Sequence, residues 1–245
     1  MIIKESTGEV GLFVTSARYL MHGAGVACLA TLEPGTGSPY ASMITVAVET
    51  GGVPVFLISQ LAWHTRNLEA DPRASILFTA EKQPGDPLAL GRISLMGTAE
   101  KTADPLVRQR FLARHPEAEG YSGFADFAFW RLRVDKAHYV GGFGKIGTID
   151  ADSLIRQGPS VDTWNAEISR VLAALPADLP AALARRAAPD ADNVSGWIVA
   201  ACDPEGCDLI SGDRSLYLPF PHAVEDVNQI PGVLQHLASG VATSS

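Results

Sequence analysis

The sequence predicts a two-domain chain, a mainly β N-terminal domain of barrel type over residues 1–157 followed by a small α+β domain over residues 158–245. Three observations predict it. Short β-rich runs separated by Gly/Pro turn chemistry fill most of the first domain. After Gly158-Pro159 the texture changes to alanine-rich helical sequence. The 245 residues are 47% hydrophobic and 19% charged, enough apolar side chain for a core in each part.

Residues 14–22 carry Ala17, Tyr19, Leu20 and Met21 at helical spacing before Gly23 and Gly25, which predicts an opening helix. Residues 25–33, 39–49 and 53–59 then predict a three-strand meander with EPGTGS and TGG as its turns. In the second run Tyr40, Ser42, Ile44, Val46 and Val48 share one face, and Ala41, Met43, Thr45 and Ala47 share the other. Both faces are largely apolar, which suits a strand lining a barrel on one side and meeting a helix or partner on the other. A helix over 61–70 ends at Asp71-Pro72, and β character resumes over 73–79. EKQPGDP reads as a loop, 91–101 as a strand, and Asp104-Pro105 as an N-cap with proline at the first helical position, the helix running to His115 before Pro116. Residues 129–134 and 137–140 predict two closing strands joined at Asp135-Lys136, and the glycines at 141, 142 and 144 end the domain. Beyond the boundary come helices over 161–175 and 179–188, strands over 197–202, 206–210 and 215–218, and a last helix over 224–238. The tail GVATSS is expected to fray.

A net charge of −8, with no Lys/Arg block interleaved with aromatics, argues against a nucleic-acid partner. No apolar run approaches the ~20 residues of a membrane span, and Lys4, Glu5 and Glu9 interrupt any secretory leader, so the expected location is the cytoplasm. Cys28, Cys202 and Cys207 have neither the number nor the spacing of a disulfide framework or C-x-x-C site, and are read as reduced. The glycine run does not fit G-x-G-x-x-G before a βαβ helix, and neither a nucleophile elbow nor H-E-x-x-H is present. Asp190 and Asp192 stand in a polar loop and read as solvated.

The run GSPYASMITVA (37–47) followed by SQLAWHTRNLEADPRASILF (59–78) resembles the pyridoxamine 5′-phosphate oxidase-like split barrels, most closely the branch of HugZ-type haem-utilisation proteins. RLRVDKAHYVGGFGK (131–145) resembles that branch's closing strands, and 203–221 the small α+β domain often appended to it. The resemblance implies a six-stranded, Greek-key-like split β-barrel, a homodimer, and two ligand sites where the barrels meet. It implies FMN as cofactor, in a cleft drawn by Ser42, Ser59, His64, Thr65, Arg66, Asn67 and Lys145, and an oxidoreductase. The family's basic phosphate-binding positions fall here on Ser42, Ala47 and His64, which lack the expected positive charge. Lys145 stands where the oxidases keep an arginine, and Arg66 or Arg92 would compensate in part.

That departure brings forward haem as the alternative ligand, with a haem-binding protein or haem-degrading oxygenase as the alternative function. His64 is then the metal ligand, with His22, His138, His222 and His236 as the other candidates. The relatives' H-M-N-x-D-H helix corresponds to VLAALPADL (171–179), which has no histidine. A third reading is a non-catalytic module binding a tetrapyrrole or another protein. Several residues keep a structural reading beside the functional one. Thr65 and Asn67 could stitch a helix start to neighbouring backbone, Ser42 and Ser59 could be half-exposed strand residues, and Phe124, Phe127, Phe129 and Trp130 read as core or dimer interface.

Overall fold

Burial recurs at every second position along Val26–Leu32, whereas Pro54–Ser59 is apolar and buried on both faces, and the apolar residues of these runs turn toward a common core. The computed structural model describes residues 7–80, 85–142, 145–187, 196–212 and 214–240. In it β1 (Val26–Leu32), β2 (Pro39–Val48), β3 (Pro54–Ser59), β4 (Arg73–Thr79), β5 (Arg92–Thr102) and β6 (Phe127–Val140) follow the order β3-β2-β1-β4-β5-β6. Every pairing is antiparallel, and β3 pairs with β6 to close the ring, with Val55 opposite Arg131 and Ser59 opposite Phe127. The predicted six-stranded split barrel is borne out. Leu29, Ile44, Val46, Phe56, Phe78 and Leu95 are among the residues that fill it, all buried.

Two details of the closing strands differ from the sequence reading. The predicted pair of strands over 129–140 is one strand of 14 residues, β6. Met96 faces Lys136 and Gly97 faces Val134, so Asp135 is the extra residue of a β-bulge and not a turn. Gly97 admits the bulge, because a Cβ there would lie 2.0 Å from the Arg133 carbonyl oxygen. The domain also continues past the glycines. Gly142, at φ +106°, turns the chain into β7 (Ile146–Asp150), which pairs with the C-terminal half of β6. Helices α1 (Thr7–Gly23), α2 (Trp63–Ala70), α3 (Pro105–Arg114) and α4 (Ala151–Leu154) accompany these strands.

The chain divides into two compact units, one of Met1–Phe111 with Glu119–Arg156 and one of Leu112–Ala118 with Gln157–Ser245. The second unit holds α5 (Pro159–Ala173), α6 (Leu179–Ala187), a three-stranded antiparallel sheet in the order β10-β9-β8 and α7 (Ile230–Ser239). Its strands are β8 (Ile198–Asp203), β9 (Gly206–Ser211) and β10 (Arg214–Pro219). The last helix starts later than predicted. Asp226 caps a 3₁₀ turn over Val227–Gln229 by accepting from the Asn228 N–H, and Pro231 falls in the first turn of α7, where a missing N–H costs nothing. In this unit Arg114 lies 3.0 Å from Asp208, with 8% and 0% of the two side chains exposed, and stacks on the Tyr217 ring at 5.6 Å. All three cysteines are free thiols, and no helix among the described residues is long and apolar enough to cross a membrane. Gly144, Asp190, Asp192 and residues 241–245 lie outside the described residues.

Candidate functional site

Strand β2 and helix α2 meet through two successive contacts. Tyr40 stacks on Trp63 with ring centroids 6.3 Å apart, and two residues along the strand Ser42 Oγ lies 3.0 Å from His64 Nδ1. Because alternate strand residues share a face, the pattern that points Ile44, Val46 and Val48 into the core points Tyr40 and Ser42 at the helix. The N-terminus of α2 is fixed from below. Thr65 Oγ1 donates to the Ser59 carbonyl at 2.6 Å, and the buried Asn67 amide donates to Thr31 Oγ1 at 2.9 Å. Ser59 Oγ donates to Asp126 at 2.8 Å and accepts from the Leu61 N–H. The polar atoms of Ser59, Thr65 and Asn67 in these bonds thus hold the helix start in place.

His64 is held differently. Its Nδ1 faces Ser42, while its Nε2 is buried with no hydrogen-bond partner. Burial pushes the imidazole below its ordinary value of 6.5, so the ring is neutral at physiological pH. When Nδ1 carries the proton it donates to Ser42 Oγ, and Nε2 then bears an unshared lone pair. A neutral imidazole oriented through one nitrogen, with the other uncommitted, is the arrangement that metal ligation needs. An uncompensated buried nitrogen costs about 1–3 kcal/mol, and such an atom in a folded protein calls for an explanation.

The other predicted residues are not gathered here. Arg66 follows His64 by two positions on α2, so the two side chains leave the helix about 160° apart. Arg66 instead lines a cleft of about 380 Å³ with Glu33, Pro34, Thr36, Trp63 and Asn67. Lys145 is exposed on the β6–β7 turn, where its carbonyl accepts from the Gly141 N–H at 2.8 Å. Around the closed ring β2 and β6 are separated by β3 on one side and by β1, β4 and β5 on the other, and β3 meets only residues 127–131 of β6, the end away from Lys145. Arg92 is spent locally on the Leu88 and Leu90 carbonyls. Among the other histidines, His22 is buried near the end of α1, His138 faces outward opposite Ser94 and Thr148, and His222 is exposed. His236 lies on α7 with Nε2 buried and unbonded.

Sequence reading missed the Tyr40–Trp63 stack and the wall supplied by Glu33. The available signal was an acid opening the EPGTGS turn, and an aromatic residue two positions before Ser42 in the strand and one immediately before His64 in the helix. The outer face of β1 and β2 is also apolar and uncovered, with Met43 79% and Val26 56% exposed.

A closed antiparallel barrel with α2 docked on β2, followed along the chain by a small α+β unit, defines a split-barrel protein. More narrowly, the chain belongs to the CREG β-barrel family, whose pattern matches residues 12–155. It is 34% identical over 133 residues to the chloroplastic non-canonical heme oxygenase HOZ of Arabidopsis thaliana, covering 53% of this chain and 40% of that protein. The match thus spans well under half of the plant relative. A protein of unknown function from Agrobacterium tumefaciens matches 96% of this chain and 99% of its own length, with 28% identity and a TM-score of 0.74. A heme binding protein from Mycobacterium smegmatis, 29% identical, covers 97% of this chain and 98% of its own with a TM-score of 0.55.

Proposed function

We propose that this chain binds haem in a cleft completed by a second copy of itself, with His64 as the ligand to iron. The single observation that carries the reading is His64, neutral through burial, oriented by Ser42 through Nδ1, with its Nε2 uncommitted. Relatives named for heme binding and heme oxygenase activity support it. The absence of cationic side chains at Ser42, Ala47 and His64 weighs against the alternative, FMN, whose dianionic phosphate would be left without its usual partners. Bound iron would supply the redox chemistry for opening the tetrapyrrole, and the chain would fix the ring and keep water from it. The exposed apolar face around Val26 and Met43 is the surface on which a second barrel would sit. Lys145 lies on the β6–β7 turn, beyond the end of β6 opposite its seam with β3, and in this reading it reaches the cleft from the partner and pairs with a propionate.

The test is an absorption titration of the dimeric protein with haem and, separately, with FMN. Wild type is expected to give a Soret band with haem, His64→Ala to shift or abolish it, and Lys145→Ala to weaken binding by about 10- to 150-fold, the loss of one charge-assisted hydrogen bond. Flavin absorption retained with FMN and no Soret band with haem would replace this reading with a flavoprotein. A folded monomer at micromolar concentration by sedimentation would remove the shared cleft.

A further inference from the structure

The cleft that Arg66 lines is separate from the His64 site and has a charge pattern of its own. Its floor and walls are pre-set. The turn after β1 is tied by the Glu33 N–H to the Ser38 carbonyl at 2.9 Å, the Gly37 N–H to the Glu33 carbonyl at 2.9 Å and the Thr36 hydroxyl to Glu33 Oε2 at 2.8 Å. Tyr40 backs the Trp63 indole, and Thr31 holds Asn67. Within this frame the Arg66 guanidinium makes no hydrogen bond or ion pair among the described residues, and the Glu33 carboxylate is met there only by the neutral Thr36 hydroxyl. Trp63 is 52% exposed, whereas Trp130, Trp164 and Trp197 are each under 5%.

A cation and a carboxylate that face one cleft without neutralising each other select against a simple anion, which Glu33 repels, and against a simple cation, which Arg66 repels. A molecule carrying both charges satisfies both, and an apolar body lies against the indole and Pro34. We infer that this cleft is a binding site for a small amino-acid-type zwitterion with an apolar or aromatic side chain, its carboxylate on Arg66 and its ammonium group between Glu33 and Trp63. The volume of about 380 Å³ lies within the range of small-molecule sites. This site is independent of the haem reading.

L-Phenylalanine is the probe, and the emission of Trp63, the exposed tryptophan, is the reporter, with Trp63→Phe as the blank. Wild type is expected to show a saturable change in the millimolar range. Arg66→Ala and Glu33→Gln should each weaken binding at least tenfold, as should removal of either ligand charge in L-phenylalanine methyl ester or N-acetyl-L-phenylalanine. Both substitutions fall at surface side chains, and an unchanged far-ultraviolet circular dichroism spectrum and haem titration would show an intact fold and an undisturbed His64 site. The inference is overturned if wild type shows no saturable response, if the methyl ester or acetyl derivative binds as well as the parent, or if both variants retain wild-type affinity. Failure of haem to bind would leave these outcomes unaffected, so the two proposals fail separately.

Discussion

The barrel unit and the second unit bury their interiors by different means. In the barrel, six strands contribute inward side chains at every second position, and the core is apolar. Its ionic contacts lie toward the rim, where Arg131 reaches Glu49 at 3.0 Å and Asp104 at 2.6 Å with more than a fifth of each side chain still exposed. The second unit draws its core from helices against a three-stranded sheet, and an ion pair lies inside it, Arg114 with a fully buried Asp208. A closed sheet spreads its stabilisation over many similar side chains, whereas the second unit also buries a carboxylate beside a buried guanidinium. The comparison teaches where each unit is vulnerable.

The largest expected effect breaks that pair. Arg114→Ala removes the buried cation beside the Asp208 carboxylate and should cost about 3–5 kcal/mol in urea unfolding. Replacing both partners, Arg114→Met with Asp208→Leu, should recover most of the loss, since an apolar pair needs no partner charge. If the single variant is as stable as wild type, the contrast between the units is wrong. Next in size is the barrel's own weak point. Leu95→Ala leaves a cavity in a closed ring and should cost about 2–5 kcal/mol by the same measurement, with no second substitution able to restore it by charge.

The smallest effect is a pH dependence. Burial holds the His64 imidazole below 6.5 in the folded chain, whereas the unfolded chain takes up its proton near that value. Between the two, the unfolded state binds more protons, so this residue's contribution is complete above pH 6.5 and declines as pH falls from 6.5 to the folded value, below which it is flat. His64→Gln should remove that slope from the stability profile. A slope of the opposite sign, or one unchanged in the variant, would show that His64 is not held neutral.

Most of the barrel was legible because period-2 alternation and turn chemistry are local properties. Tyr40 through Val48 announced their two faces, and Asp71-Pro72 announced the end of α2. The bulge at Asp135 was not legible, since a polar pair between apolar runs reads as a turn unless Gly97 on the neighbouring strand is known to be opposite. The site was legible as a set of residues, not as a set of roles. Whether the Thr65 and Asn67 side chains face ligand or protein depends on Ser59 and Thr31, which the chain brings near only on folding. Arg114 and Asp208 are 94 positions apart, beyond any local pattern.

The seam that closes the barrel pairs Ser59 with Phe127 and Val55 with Arg131, residues 68 to 76 positions apart, whereas β1 and β2 join through a short turn. Loop-closure entropy makes such a distant pairing late, because the ordering it requires precedes the contacts that reward it. During synthesis, therefore, β3 emerges well before its partner and remains an open, apolar edge until residue 131 has left the ribosome. A chain that stalls in that interval presents to its neighbours the strand that β6 would have covered. The period of greatest risk of misassembly for this molecule is thus set by the spacing of two strands along the gene product and not by the stability of the finished fold.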